Sequence, residues 1–407
     1  MRILHVPYVC PPTPNVADGI TNVVRNVTQE LAKRGHEVEV YTSDMLDQRG
    51  NGSLKTKKQV INGVTVYYLR SLWRHKTFIV TPSIIPLLSK RLGNFDIIHI
   101  HDCRSFQGIF AYLFARAKNI PYVFQPHGSY SFSLSDSTSK TVAKITLDKL
   151  VSGKIIQNAS KIIALSQVEA EEYKCAGVPA DKIAIVPNGI DLLEYSDLPS
   201  KGAFKKKFGL DKNDKIVLYL GRIHKTKGID LLVKAYAYLT KKMDCKDAVL
   251  VMAGPDDGYL DELRSLVCSL GLNRKVLFTG MLSEEDKIGA YVDCAICAYL
   301  NPHEPFGLVP LEAAASGRPV VVVRGTPMSE IVNQGNFGFS TGHLDVAALA
   351  KIFEKILQDE ALATEMGKRG RDYVFAEFDW SKIIVELVKL YKEVAKGNQK
   401  CSRKLDT

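Results

Sequence analysis

Short apolar runs alternate along the chain with longer stretches whose apolar residues recur every three or four positions. The first run, RILHV, leads through a proline-rich loop into ITNVVRNVTQELAKRG. There Ile20, Val23, Val24, Val27 and Leu31 share one helical face, and Gly35 ends the helix. HEVEVYT alternates as a strand does, and DIIHIHD, PYVFQPHG, SKIIALS and KIAIVPNG continue the series. A second copy of the rhythm starts near Lys215. KIVLYLGR, AVLVMAGP, KVLFTG, CAICAYLN and PVVVVRG read as its strands, with helices such as LDELRSLVCSLG between them. Residues 196–214 are polar and rich in Gly, Pro and Lys, as a linker should be. The last long helix, DWSKIIVELVKLYKEV, carries Ile383, Ile384, Leu387, Val388 and Tyr391 on a face that needs a surface to cover. No internal repeat is visible. The pattern predicts an α/β chain of two doubly wound parallel-sheet domains facing each other, 1–195 and 215–379. Helix 380–396 would pack back toward the first domain, and 397–407 would form a basic tail. Ligands bind such sheets at the carboxyl ends of their strands, so the cleft between the domains is the expected site.

Composition narrows the class. The chain has 407 residues, 46% hydrophobic and 24% charged, an ordinary globular balance. No apolar run reaches the roughly 18 residues of a membrane span. The apolar N-terminus is short and lacks a small-residue cleavage site, so it reads as a first buried strand, not a signal peptide. The eight cysteines are scattered, as free thiols in a reducing cytosol would be. Cys294 and Cys297 have redox or zinc spacing but fall in a strand, where i and i+3 point to opposite faces. The expected location is therefore cytoplasmic. Net charge is +10, and it is uneven. Residues 1–195 hold 23 Lys and Arg against 16 Asp and Glu, a net +7; the rest holds 31 against 28, a net +3. Without a dense basic block, this excess points to an anionic small molecule or membrane surface and away from nucleic acid. A merely soluble surface would look the same.

Candidate chemistry concentrates in HEPFGLVPLE, His303–Glu312, where seven residues separate Glu304 from Glu312. On one continuous helix, eight steps of about 100° would set the acids roughly 80° apart. An i,i+4 pair would serve any shared task better. The strand CAICAYLN ends near Asn301, and Pro310, which has no N–H, suits a first helical position. The helix is thus expected from Pro310, with Gly317 past its end, Glu304 on the loop and Glu312 in the first turn. The amides of Phe306, Gly307 and Leu308 would then surround a helix N-terminus, an anion site suited to phosphate. Gly307 would let the backbone approach the ligand closely. Alone, Glu312 reads equally as an acid favourable with the helix dipole, and Glu304 as a solvated loop acid. These residues imply two α/β domains, a diphosphate-like ligand and two nearby acids. They do not name a reaction.

The longer string EPFGLVPLEAAASGRPVVV resembles the E-x7-E segment of retaining nucleotide-sugar glycosyltransferases of family 4, which have the GT-B fold of two facing Rossmann-like domains. The likeness extends over almost the whole chain. GRIHKTKGID resembles the family's phosphate clamp, with Arg222 and Lys227 as its paired cations. VPNGID, Val186–Asp191, resembles the segment entering the inter-domain region. In PHG, His127 stands where the family has a histidine beside the donor sugar. The family's N-terminal loop carries paired glycines; this chain has Asp18 and Gly19, and Gly19 keeps the backbone approach. The resemblance implies that Glu304 binds donor sugar hydroxyls close to the anomeric carbon. It implies that Glu312 accepts hydrogen bonds from the nucleotide ribose, with phosphates held between the two acids. The spacing of the acids is then set by the length of the ligand. The resemblance also implies a front-face displacement with retention, in which the leaving phosphate helps to deprotonate the acceptor. No covalent nucleophile is implied.

The sequence holds no D-x-D triplet of the kind that carries a divalent ion in glycosyltransferases of the other common fold. Asp256 and Asp257 read as a turn and helix start. No metal and no cofactor are expected, and Arg222, Lys227 and the amides around Gly307 would meet the charge of the departing diphosphate. Expected partners are a nucleotide-diphosphate sugar donor and a glycan or lipid-linked acceptor, in surface polysaccharide or glycoconjugate synthesis. Acceptor choice is expected in loops of 1–195 such as RSLWRHKTF and SYSFSLSDSTSK, whose basic surroundings would suit weak attachment at the inner face of the cell membrane. Two other readings fit the architecture: a nucleotide-sugar 2-epimerase-like enzyme and a non-catalytic sugar-nucleotide-binding subunit. Epimerised free donor would mark the first, and loss of clamp or acid residues would mark the second.

Overall fold

Ile3 and Leu4 are both fully buried, yet they belong to cores on opposite faces of one strand. The same holds for Ile97 and Ile98, and for Val123 and Phe124. Strands buried on both faces are what a parallel sheet covered by helices requires. A computed structural model describes residues 1–10, 19–46, 52–75, 78–102, 104–128, 152–243, 245–304, 306–342 and 345–405. The chain divides into two units, Met1–Gly189 with Trp380–Thr407, and Ile190–Asp379.

The described strands of the first unit are β1 Arg2–Val6, β2 Glu37–Ser43, β3 Lys58–Ile61, β4 Val64–Leu69, β5 Trp73–His75, β6 Phe78–Val80, β7 Ile97–His101, β8 Tyr122–Gln125, β9 Lys161–Ala164 and β10 Ile183–Ile185. Its main sheet runs β10-β9-β8-β7-β1-β2-β4-β3, parallel except for β3 against β4, and β5 and β6 form a separate ribbon. The alternation of strand and helix in the sequence assigns none of β3–β6, which are short. β3 and β4 join at Asn62 and Gly63, both at positive φ, the Asn-Gly turn of a tight hairpin. The helix Trp380–Leu405 lays Trp380, Ile384, Leu387 and Tyr391 into the core that holds Ile3, Val24, Val38 and Ile97. Its backbone stays helical through residues where a tail was expected, because nothing after Gly397 breaks a helix.

The second unit holds β11 Lys215–Leu220, β12 Ala248–Ala253, β13 Val276–Gly280, β14 Cys294–Tyr299, β15 Val320–Val323 and β16 Gly338–Thr341. They form one sheet in the order β13-β12-β11-β14-β15-β16, with every pairing parallel. Residues 196–214, expected as a linker, contain the helix Ala203–Lys207. Its Phe204 is buried, and Asp293 accepts from the amides of Gly202 and Lys205, which ties the stretch into this unit. Cys294 and Cys297 are buried free thiols in β14, and burial pushes the Cys294 thiol up to about 12. No helix among the described residues is long and apolar enough to cross a membrane.

The long helix that closes the first core carries a direct test of this packing. Ile384→Ala, at a fully buried position, is expected to destabilise the first unit by about 2–5 kcal/mol. Val385→Ala, at an exposed position one residue on, is expected to change stability by no more than about 0.5 kcal/mol. Urea denaturation followed by tryptophan fluorescence compares the two; equal losses would contradict the assigned helix face.

Candidate functional site

In the second sheet β11 is flanked by β12 on one side and β14 on the other. The order therefore reverses at β11, and the carboxyl ends of β11 and β14 border the switch point where open α/β sheets bind ligands. Both chemically marked loops leave from those ends. Residues 221–228 follow β11, and residues 300–307 follow β14. They touch through one ion pair, Lys227 Nζ to Glu304 Oε2 at 2.5 Å, with the two side chains only 14% and 28% exposed. Close approach of the loops depends on Gly228, at φ +68°: a Cβ there would lie 2.3 Å from the carbonyl oxygen of Leu300.

Burial works to raise the Glu304 carboxyl, but the charge of Lys227 and hydrogen bonds from Lys227, Tyr299 and Asn301 outweigh it. The carboxyl sits below its ordinary range and is ionised at neutral pH. Lys227 has three donors and spends one on Glu304. Arg222 differs: its guanidinium is half exposed and pairs with Asp257 in the loop after β12. Asp256 Oδ1 accepts from the amides of Gly258, Tyr259 and Leu260 at 2.9–3.1 Å, the geometry of a turn leading into a helix.

The helix of the acid motif spans Leu308–Ala315, two residues earlier than Pro310 predicts. The first amides of a helix have no intrahelical partner, so a proline at the third position forfeits nothing. Glu312 is consequently the fifth residue of the helix and lies beyond its first turn, correcting the expected placement. Its Oε2 accepts from the Tyr291 hydroxyl at 2.7 Å, and its Oε1 lies 3.8 Å from Lys287 Nζ. Gly307 caps the helix without a side-chain bond, and no described residue accepts from the amides of Gly307 or Leu308. A Cβ at Gly307 would fall 2.5 Å from the ring of the buried Tyr299. Phe306 is buried with its ring 6.4 Å from that of Phe378, so a ligand would meet its backbone and not its ring. Leu308 is half-buried.

Seven of the sequence-marked residues thus belong to the second unit: Arg222, Lys227, Glu304, Phe306, Gly307, Leu308 and Glu312. Gly19 and His127 belong to the first. Gly19 opens the helix Gly19–Lys33, with nothing within 4 Å of a Cβ built on it, so no packing demands glycine there. Asp18, Pro305 and the loop SYSFSLSDSTSK lie outside the described residues. His127 follows β8 at φ +50°, with Gly128 at φ +71°. A non-glycine residue in that region costs about 1–3 kcal/mol, so the surrounding structure must hold it. His101 Nδ1 lies 2.9 Å from His127 Nε2, and burial lowers the His127 pKa to about 3, which keeps the ring neutral.

Sequence reasoning missed the side chains that orient the acids: Tyr299 and Asn301 for Glu304, Tyr291 and Lys287 for Glu312. Asn301 and Tyr299 precede Glu304 by three and five residues and were within reach of a local reading, whereas Lys287 and Tyr291 lie on the helix Glu284–Asp293 and meet Glu312 only in the folded unit. It also missed His5, His99 and His101. The alternation of DIIHIHD is a signal that could have found two of them, since alternate polar residues in an apolar strand share one face.

Residues 200–373 match the family described as glycosyl transferases group 1, and residues 17–193 match the one described as glycosyltransferase family 4. The chain belongs to glycosyltransferase family 4. An uncharacterized glycosyltransferase of Methanocaldococcus jannaschii is 27% identical, the match covering 96% of this chain and 98% of that one. Among solved structures, sucrose-phosphate synthase from Thermosynechococcus elongatus superposes with a TM-score of 0.77 at 24% identity, covering 97% and 99% of the two chains. The Anabaena HepE protein in complex with UDP-glucose gives 0.76 at 21%, covering 97% and 100%. These likenesses show the fold. The family 4 glycosyltransferase has the two Rossmann-like domains of the GT-B fold, and its E-x7-E segment and basic loop leave adjacent strands of the second.

Proposed function

We propose that this glycosyltransferase moves a hexosyl unit from a nucleotide-diphosphate sugar to a glycan or lipid-linked acceptor, with retention of configuration and without a metal ion, in surface polysaccharide or glycoconjugate synthesis. The observation that carries the reading is the Lys227–Glu304 pair at the carboxyl ends of β11 and β14. It places a fixed cation and an ionised acid together where this sheet type binds ligands. Glu304 meets the sugar hydroxyls near the anomeric carbon, Glu312 meets the ribose, and the free amides of Gly307 and Leu308 face the phosphates. His127 stands beside the donor sugar, and Gly19 contributes backbone in the first unit. As the bond to the sugar breaks, negative charge grows on the leaving phosphate, where Arg222, Lys227 and those amides stabilise it. The UDP-glucose complex of the HepE protein supports a nucleotide-sugar donor. A thermal-shift panel of nucleoside diphosphates and nucleotide sugars tests it: stabilisation by one base identifies the donor, and a flat response across the panel would sink the reading.

Glu304→Ala is expected to remove nearly all transfer while leaving nucleoside diphosphate affinity largely intact. Glu312→Ala is expected to weaken nucleotide binding by about 1–3 kcal/mol, because a charged hydrogen bond is lost. Calorimetry that found equal losses of nucleotide affinity would contradict the placement of the acids at opposite ends of the donor.

With charge met by protein groups, EDTA is expected to leave the rate unchanged. Arg222→Ala or Lys227→Ala is expected to lower kcat by about two orders of magnitude or more, since one such group is typically worth about 2.7–4 kcal/mol in the transition state. An enzyme that stops in EDTA and recovers with Mg²⁺ or Mn²⁺ would overturn the clamp.

The +7 charge of residues 1–195 is proposed to draw the enzyme weakly to an anionic membrane face. Co-sedimentation with anionic vesicles should then fall as salt rises, because screening acts over about 10 Å at 0.1 M. Equal binding to neutral vesicles, or none to either, would remove the idea.

A further inference from the structure

Behind His127 lie three imidazoles that the proposed reaction does not use. His5 on β1 and His99 on β7 are register partners, and His101 is two residues beyond His99, so all three leave the sheet on one face. All are fully buried. Their nitrogens form a chain, with His5 Nδ1 2.9 Å from His101 Nε2, and His101 Nδ1 2.9 Å from His127 Nε2. His99 stacks on His101 at 3.9 Å between centroids, and its Nδ1 lies 2.6 Å from the Tyr391 hydroxyl. At the inner end of the chain, His5 Nε2 is buried without a partner among the described residues.

A neutral imidazole carries one N–H and one bare nitrogen, so each link can hold a proton at one end only. Burial holds all four rings neutral, lowering His5 and His127 to about 3 and depressing His99 and His101 as well. Two arrangements satisfy both links. In one, His5 donates from Nδ1 to His101 Nε2, His101 donates from Nδ1 to His127 Nε2, and His127 keeps its proton on Nδ1. In the other every proton is reversed, and His5 is left with an N–H on Nε2. The difference falls on the partnerless nitrogen, which is bare in the first and an N–H in the second. A buried N–H without an acceptor is the defect that native structures avoid most. The first arrangement is therefore favoured, and it overrides the preference of a free imidazole for the proton on Nε2.

We propose that His5 and His101 are positioning residues that fix His127 as its Nδ1–H tautomer, so that the outer edge of His127 is a hydrogen-bond donor and not an acceptor. The consequence for catalysis rests on the placement of His127 beside the donor sugar. A metal ion is the competing use of the cluster, since ligand atoms of His5, His99 and His101 lie within 4.8 Å of one another. The geometry argues against it. The His99 and His101 planes are 23° from parallel, so their lone pairs run side by side instead of converging. Both nitrogens of His101 are already engaged by other rings.

The test uses the whole chain labelled with ¹⁵N-histidine, free of nucleotide and sugar. Long-range ¹H–¹⁵N correlation reads which ring nitrogen is protonated, and His127→Gln assigns the signals. The expected result is a protonated Nδ1 and a bare Nε2 on His127; the reverse overturns the proposal. His5→Leu removes the innermost donor. It is expected to shift part of His127 to the Nε2–H form and to lower kcat up to about tenfold with KM little changed, the scale of one hydrogen bond. His5→Asn keeps a donor near the Nδ1 position and is expected to restore both. A tautomer and kcat indifferent to His5→Leu would overturn the proposal, as would one zinc per chain that His5→Leu releases. Should His5→Leu fail to fold by circular dichroism, the wild-type spectrum decides alone. Because that spectrum needs no substrate, a wrong tautomer leaves the transfer reading untouched. Full transfer by His127→Gln would remove His127 from the reaction without altering the tautomer result.

Discussion

The ion pair between Lys227 and Glu304 joins residues 77 apart in sequence, and the candidate site is arranged around it. A shielded carboxylate beside a proposed diphosphate would repel its ligand. Lys227 neutralises that charge and still has donors to spare. The pair is costly to dehydrate, so its value lies in fixing two loops more than in stability. Arg222 works differently. Its half-exposed pair with Asp257 is worth about 1 kcal/mol or less, so it can leave Asp257 for an arriving anion at small cost. On the proposed reading, the site combines one fixed cation with one free to swing.

Polar groups enter the two units under different rules. In the second, Glu304 sits on a loop and Glu312 inside a helix, each satisfied by a tyrosine hydroxyl and a lysine close by. In the first, histidines occupy the covered face of a central strand pair, fully buried and bonded mostly to one another and to Tyr391. A polar row so placed must settle its protons internally, and the unsatisfied end at His5 Nε2 then governs the two links from His5 to His127.

The alternation of strand and helix was legible because parallel strands buried on both faces leave short, almost wholly apolar runs. The face of Ile384, Leu387 and Tyr391 was legible because one stripe must be covered. β3 to β6 were not assigned; β3 buries none of its residues and so leaves no apolar run, although Asn62 and Gly63 marked one turn. The helix start near Glu312 shifted because proline is tolerated anywhere in the first turn, which weakens it as a boundary signal. Glu304 and Lys227 could each be assigned to a loop. Their contact could not be foreseen, because it depends on β14 lying beside β11 instead of beside β13. The hydroxyl of Tyr291 was hidden for a similar reason, since it meets Glu312 only in the folded unit.

The core begun by Ile3, Val24 and Val38 is closed by residues from Trp380 onward, and the whole second unit lies between them in the chain. On the ribosome this order matters. About 190 residues must be made first, which at about 5–20 residues per second takes roughly 10–40 s. Through that interval the apolar sheet face over Ile3 and Val38 has only the helix Gly19–Lys33 to cover it, and its cover is completed only after every strand and helix of the second unit has been made. Synthesis thus favours a chain that matures from the middle outward, with its earliest residues among the last to be sheltered from chaperones and from one another.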